Sequence, residues 1–196
     1  MGIAHHGRTY RLDWEDPTIR EWDCIVAWSD PTDPEAGIVL DRSAFYPGEP
    51  ALQAAEATRF ARAVKAAGGH VEVETSGTVP LGDLADAIGL VVASPKLSSA
   101  GMRPEARLRW HVLRGLAALP HVVFKFVVAG PVELAEADAV VKRLSLPPSK
   151  VWVMPEATER DALLERMACL AGPVAERGWS LSGRLQVLLW GDERGR

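Results

Sequence analysis

Hydrophobic and polar positions change period repeatedly from residue 51 onwards. Residues 51–67 place apolar side chains at helical spacing and end at Gly68 and Gly69, a glycine pair typical of a helix C-terminus. Residues 70–74 then alternate apolar and polar side chains, which predicts a strand. The same alternation of helix-like and strand-like segments continues to residue 190.

The pattern predicts further helices and strands joined by short connections. The expected helices cover residues 81–87, 103–119, 131–144 and 158–177, with Thr158 as the N-cap of the last. The expected strands cover residues 88–93, 122–128, 151–154 and 185–190, and the continuous apolar run 88–93 is typical of a strand covered on both faces. Strands that alternate with helices predict an α/β fold with a parallel sheet.

The first fifty residues give a weaker pattern, because Asp-Pro pairs interrupt it at residues 16–17, 30–31 and 33–34. Residues 23–27 or 38–40 are expected to be extended. Tryptophans at positions 14, 22 and 28 indicate a segment that packs on something. No repeat and no shift in composition divides the chain, so we predict one domain over residues 1–196.

Composition excludes several classes of protein. A net charge of -4 provides no basic field for gripping phosphates, so we do not expect a nucleic-acid partner. No apolar run approaches the length that crosses a bilayer, and residues 1–10 lack a secretory signal pattern, so we expect a cytoplasmic protein without membrane contact.

Candidate metal ligands are few. The two cysteines, Cys24 and Cys169, are far apart and show no CxxC-type spacing, so both are interpreted as buried or idle thiols. His5 and His6 are adjacent near a terminus, where histidines are more often solvated than metal-bound. We therefore predict no metal site.

Polar side chains follow the two strands at 70–74 and 88–93. They are Glu74, Thr75, Ser76 and Thr78 after the first, and Ser94 and Lys96 after the second. The carboxyl edge of a parallel sheet is where α/β proteins bind ligands, so these residues are candidates for a binding site. A hydrogen-bonded turn around Gly77 and a structural ion pair at Lys96 are the alternative interpretations.

Two further ionisable residues lie within or after later strands. Alternation turns Lys125 away from Phe124 and Phe126 and towards the sheet's other face, where a lysine needs a partner. Glu156 follows the strand at 151–154 and lies either at the same edge or in the first turn of a helix, where its charge is favourable.

Six short segments occur in a recognisable order: 47–53 (PGEPALQ), 71–78 (VEVETSGT), 94–98 (SPKLS), 124–128 (FKFVV), 151–156 (VWVMPE), and 177–179 with 184–191 (RGW and RLQVLLWG). Together they resemble 7-carboxy-7-deazaguanine synthase, a radical S-adenosylmethionine family of 7-deazapurine (queuosine) metabolism. The resemblance covers residues 44–196 and leaves residues 1–43 as a divergent segment.

The resemblance implies a partial parallel (β/α) barrel, a homodimer, and the use of magnesium, a four-iron cluster and S-adenosylmethionine on a pterin substrate. It also implies roles for individual residues. The cofactor side would include Gly48, Glu49, Thr75, Ser76, Ser94, Lys96 and Glu156. The substrate side would include Glu74, Thr78, Gln186 and Arg196. Glu49 can instead be a turn carboxylate beside a helix N-terminus, and Arg196 part of a frayed tail.

Three departures from the family pattern change this expectation. The CxxxCxxC-like loop and the first strand have no counterpart in the sequence, so we expect no iron–sulfur cluster and do not predict magnesium. Pro47 replaces the first glycine of the family's GGEP and removes a backbone N–H. Gln186 stands at a histidine position, where it can form hydrogen bonds but does not titrate.

The leading hypothesis is a degenerate 7-carboxy-7-deazaguanine synthase-like protein, or pseudoenzyme, that keeps a pocket for a pterin, a deazapurine or S-adenosylmethionine. One alternative is a non-radical enzyme on a pterin or S-adenosylmethionine-derived ligand, with Lys96, Lys125 and Glu156 as acid–base candidates. Another is a subunit completed by a cluster-bearing partner. The sequence leaves open whether the chain is an enzyme, and whether the N-terminal tryptophans fill the pocket.

We expect a homodimer or a hetero-complex, because a parallel sheet without its first strand exposes an edge that pairs with another chain. Sedimentation at micromolar concentration should therefore give a species heavier than one chain. A single monomeric species across that range contradicts this expectation.

Overall fold

A parallel sheet forms the centre of the protein. The structure is a computed structural model that describes residues 2–5, 8–11, 27–28, 39–40 and 49–191. Among these residues, five strands form one sheet in the order β5-β6-β7-β8-β9, and every neighbouring pair is parallel. The strands are β5 (Glu72–Thr75), β6 (Leu90–Ala93), β7 (Val122–Val128), β8 (Val151–Pro155) and β9 (Ser180–Leu181). The predicted α/β fold is confirmed.

Four short strands precede this sheet. β1 (Gly2–His5) pairs antiparallel with β2 (Arg8–Arg11), and β3 (Ala27–Trp28) pairs antiparallel with β4 (Val39–Leu40). Extended structure was expected within residues 23–27 or 38–40. Ala27 and β4 agree with it, and the rest of the two segments, apart from Trp28, lies outside the described residues.

Helices connect the strands. A 3-10 turn (Pro50–Gln53) leads into α1 (Ala54–Ala66), which precedes β5. The others are α2 (Leu84–Ala87), α3 (Pro104–Arg107), α4 (Trp110–Ala117), α5 (Pro131–Leu144), α6 (Arg160–Glu176) and α7 (Leu185–Trp190). Because the strand order follows the chain and parallel crossovers share one hand, the connecting helices pack on the same face of the sheet. This is the arrangement of part of a β/α barrel.

The two faces of the sheet differ in burial. Phe124, Phe126 and Val128 on β7 are completely buried, as are Val151 and Val153 on β8, and all pack in one core with helix residues such as Leu113 and Ala137. Burial of a side chain of this size contributes about 1.5–3 kcal/mol. The alternate residues of the same strands are half-buried or exposed, and Trp152 is 39% exposed.

This asymmetry corrects the expectation of a strand covered on both faces. In β6, Val91 and Ala93 have no exposed surface, whereas Leu90 and Val92 are only half-buried. A continuous apolar run therefore belongs here to a strand with one core face, because the other face points towards the concave side of a partial barrel.

Three other boundary predictions were wrong. Residues 185–190 form α7 and not a strand, because a short apolar run fits either structure and Val187 here packs with Leu163 of α6. The helix predicted over 103–119 is interrupted between α3 and α4, where Arg107 turns inward to bind carbonyl oxygens. The N-cap of α6 is Glu159 and not Thr158.

No helix in the described part of the chain is long and apolar enough to span a membrane. The prediction of a single domain over residues 1–196 stays a prediction.

Gly77 allows the turn after β5 to approach α4. Its φ is +71°, and a Cβ there would come within 2.6 Å of Leu113 Cδ2 in the core. We expect Gly77→Ala to destabilise the fold by about 2–4 kcal/mol, since it combines left-handed strain with overpacking. Gly82→Ala is the matched control, because Gly82 also has positive φ but a Cβ meets nothing within 4 Å. It should cost about 1 kcal/mol. Equal losses in urea unfolding contradict the packing argument.

Candidate functional site

Glu49 is tied to the carboxyl end of β5 by both of its oxygens. Oε1 accepts hydrogen bonds from Thr75 Oγ1 at 2.5 Å and, more weakly, from the backbone N–H of Ala51 at 3.4 Å. Oε2 accepts from the Ser76 backbone N–H at 2.9 Å and from the Ser76 hydroxyl. Hydrogen bonds to a carboxylate are stronger than those between neutral groups. The chain segments around residues 49 and 75 are therefore held together as one unit.

The turn after β5 adds hydroxyl groups to this unit. Ser76 Oγ lies 2.8 Å from Thr78 Oγ1, and Thr75 Oγ1 accepts from the Gly77 N–H at 3.1 Å. Thr75 is 1% exposed, whereas Ser76 and Thr78 are half-buried and reach solvent. We call Glu49, Thr75, Ser76 and Thr78 the oxygen cluster. It presents acceptor oxygens and a negative charge, a combination that suits an ammonium group or another N–H donor.

Lys125 and Glu74 form an ion pair on the open face of the sheet. Lys125 Nζ lies 2.7 Å from Glu74 Oε2, and the pair reaches across β6 between them. The side chain of Lys125 is 20% exposed and that of Glu74 is 48% exposed. The predicted direction of Lys125 is confirmed, and its partner is now known. Because Glu74 is adjacent to Thr75, the ion pair and the oxygen cluster share the end of β5.

Ser94 and Lys96 follow β6 beside the same edge. The Ser94 N–H donates to the Thr75 carbonyl at 2.7 Å, and Ser94 is 2% exposed, so it is part of the packed strand end. Lys96 is exposed, and its carbonyl accepts a hydrogen bond from Arg107 Nη1 at 3.0 Å. The structure therefore brings the segment of residues 94–96 next to β5.

Arg107 and Glu136 were not found by sequence analysis. Arg107 Nη1 lies 2.6 Å from Glu136 Oε1, and Glu136 Oε2 accepts from the Ser98 N–H at 2.7 Å. Burial raises the pKa of Glu136, but hydrogen bonds from Ser98 and Arg107 and the charge of Arg107 outweigh it, so that pKa lies below its ordinary value. No local pattern could have revealed this contact, because its partners belong to a loop and to a helix after the next strand.

Glu156 lies at the end of β8, as predicted from the sequence. It is exposed and lines a cavity of about 340 Å³ with Thr158, Glu159 and Arg166. Its backbone carbonyl accepts from the Arg166 guanidinium. The structure gives no contact between Glu156 and the oxygen cluster, so the two candidate regions remain separate parts of one sheet edge.

The remaining predicted residues are either displaced or not described. Gln186 is exposed on α7, because the segment is a helix and not the expected strand. Gly48 and Arg196 lie outside the described residues, as does Cys24. Cys169 is exposed on α6, which corrects the expectation of a buried thiol but not that of a free one. Within the described residues, no group of three or more His, Cys, Asp or Glu side chains is placed to hold a metal ion.

Glu136→Gln should destabilise the protein in a pH-dependent way. The folded-state pKa of Glu136 is depressed, so its contribution is complete above the ordinary pKa of about 4.3 and is lost as the pH falls through the folded value. We expect a loss of about 1–3 kcal/mol at pH 7 that shrinks at pH 3, measured by urea unfolding. Glu105→Gln, at an exposed position on α3, is the control and should change stability little at either pH. A gap between wild type and Glu136→Gln that is constant with pH contradicts the argument.

Comparison with known proteins adds a relationship to this geometry. No protein-family model matches the chain. It is 30% identical over 129 residues to a 7-carboxy-7-deazaguanine synthase of Pyrobaculum aerophilum, an alignment that covers 65% of this chain and 55% of that protein. It is 31% identical over 144 residues to the enzyme of that name from Rhodopirellula baltica, covering 67% and 55%. The one from Hyperthermus butylicus is 29% identical over 147 residues, covering 72% and 62%.

The chain therefore spans between 55% and 62% of the length of these relatives. The resemblance predicted from the six sequence segments is confirmed by all three. The chain is a homologue of the 7-carboxy-7-deazaguanine synthases.

Proposed function

We propose that this chain is a 7-carboxy-7-deazaguanine synthase-like protein of 7-deazapurine metabolism that binds S-adenosylmethionine or a pterin and performs no radical chemistry on its own. The binding site is the carboxyl edge of β5 and β6. The observation that carries the proposal is the oxygen cluster, in which Glu49 is fixed at the strand end by Thr75 and Ser76.

The cluster suits a cationic donor because all its polar atoms can accept hydrogen bonds. Glu49 already receives donors from Thr75 and Ser76, so its charge is held in place, and the oxygens of Ser76 and Thr78 keep free lone pairs. A ligand ammonium group can bind to these hydroxyl oxygens under the field of the Glu49 carboxylate. The amino acid part of S-adenosylmethionine carries such a group.

The Lys125–Glu74 pair supports recognition of a ligand with both kinds of polar group. Lys125 can meet a ligand carboxylate or carbonyl, and Glu74, which is 48% exposed, can accept from ring N–H groups. A pterin or deazapurine edge offers this alternation of donors and acceptors. The half-buried Val92, Val123 and Val127 on the same face provide an apolar surface for a flat ring.

Radical chemistry needs a ligand set that the sequence does not contain. A four-iron cluster requires about three protein thiolates, and the 196 residues hold two cysteines, Cys24 and Cys169. Cys169 is exposed on α6, a helix that lies outside the sheet. The proposed role is therefore ligand binding, alone or within a homodimer or a complex with a cluster-bearing partner.

A non-radical enzyme on the same ligand is the second candidate. The ion pair of Lys125 favours it, because a lysine beside a carboxylate on a ligand-facing surface can exchange a proton with bound substrate. Lys96 and Glu156 are the other acid–base candidates. If turnover of a pterin or an S-adenosylmethionine-derived ligand is found and survives Lys96→Met, Lys125→Met and Glu156→Gln, this candidate is wrong.

Binding of S-adenosylmethionine should raise the melting temperature. At a ligand concentration a hundred times Kd the native state gains about 2.7 kcal/mol, which corresponds to roughly 5–10 °C for a chain of this size. Ser76→Ala should lower the affinity about tenfold, because it removes one acceptor and loosens Glu49. Glu49→Gln should lower it further. The readouts are a thermal-shift titration and calorimetry.

Glu176→Gln is the matched control, since Glu176 is exposed at the C-terminal end of α6 and therefore near the opposite edge of the sheet. It should leave the shift unchanged. No shift with S-adenosylmethionine, pterins or deazapurines would falsify the binding proposal. Anaerobic reconstitution with iron and sulfide tests the other half, and a stable four-iron spectrum with cleavage of S-adenosylmethionine contradicts it.

A further inference from the structure

Arg107 is a buried charged residue in an otherwise exposed part of the chain. It is 5% exposed, whereas every residue from Ser98 to Ala106 is exposed. A buried guanidinium is stable only when its donors and its charge are matched. The contacts that match those of Arg107 show what this residue organises.

All the recorded partners of Arg107 belong to the loop after β6 or to α5. Nη1 donates to the Lys96 carbonyl at 3.0 Å and lies 2.6 Å from Glu136 Oε1, and Nε donates to the Met102 carbonyl at 3.2 Å. The planar guanidinium can serve these acceptors at once, which a lysine cannot. Glu136 in turn accepts from the Ser98 N–H at 2.7 Å.

These contacts fix the backbone on both sides of the Lys96 side chain. Before it, the Ser94 N–H is bonded to the Thr75 carbonyl at 2.7 Å, and Leu97 after it is 2% exposed. The Lys96 carbonyl is held by Arg107. The position of the exposed Lys96 side chain is thus set by a polar contact with α5 in addition to the packing of β6.

We propose that Arg107 and Glu136 are positioning residues that hold Lys96 against the ligand-binding edge of β5 and β6. The inference rests on the proposed function for its ligand, but the fixing of the loop can be measured without one. Lys96 meets the anionic part of the ligand, the carboxylate of S-adenosylmethionine, while the oxygen cluster meets its ammonium group. Removing the clamp displaces the lysine without removing it.

Asp138→Asn is a matched control for Glu136→Gln. Asp138 is also on α5 and also pairs with an arginine, Arg177, at 2.7 Å, and the side chains of Glu136 and Asp138 are 21% and 23% exposed. The Asp138 pair connects α5 with the end of α6 and has no recorded contact with the Lys96 loop. Both variants neutralise one paired acid on the same helix, so a general loss of stability should affect them similarly.

The first experiment measures amide hydrogen exchange of residues 96–103 in the full chain without ligand. Glu136→Gln and Arg107→Lys should accelerate exchange in this segment about tenfold or more, since local opening becomes easier. Asp138→Asn should leave the segment unchanged. Unchanged exchange in both Glu136→Gln and Arg107→Lys, with folded protein confirmed by circular dichroism, overturns the proposal.

The second experiment is a double-mutant cycle on affinity for S-adenosylmethionine. Glu136→Gln should weaken binding about five- to tenfold in the wild type but have little further effect in Lys96→Met, because the residue it positions is gone. Independent losses that multiply in the double variant overturn the positioning role. If the wild type binds no S-adenosylmethionine, the proposed function fails, and the exchange experiment alone decides whether the clamp exists.

Discussion

The shared hand of the parallel crossovers is the constraint on which the rest of this structure depends. Strands that follow one another in chain order, each joined to the next by a helix, must receive those helices on one face. That face holds the core around Phe124 and Phe126, and the other carries Lys125 and the exposed Trp152. The division between a stabilising face and a face available for chemistry follows from topology.

The carboxyl edge of the sheet gains its chemical character from short segments that the topology brings together. Glu49 precedes α1, and Thr75 and Ser76 end β5, yet one carboxylate connects them through hydrogen bonds to each of its oxygens. The same contacts that hold the turn in place also orient the hydroxyl groups. Structural and ligand-binding roles are therefore compatible at Glu49, and the local geometry serves both.

The loop after β6 is organised differently. Most of its residues are exposed, so hydrophobic burial contributes little there, and the buried Arg107 with Glu136 supplies the tertiary contact. An arginine can bind two carbonyl oxygens and a carboxylate together because its donors are fixed in one plane. This explains why the helix predicted from periodicity breaks between α3 and α4, where the side chain turns inward.

The sequence by itself determined the α/β class, the segments 122–128 and 131–144 without error, and the direction of Lys125, because periodicity and alternation are local properties. It also determined the relationship to the 7-carboxy-7-deazaguanine synthases, since the segments that carry the resemblance are short and ordered. Only the tertiary structure decided that 185–190 is a helix, that β6 has one open face, and that Glu74 is the partner of Lys125. It alone joined Arg107 to Glu136, because such contacts depend on which distant segments become neighbours, and no local pattern encodes that.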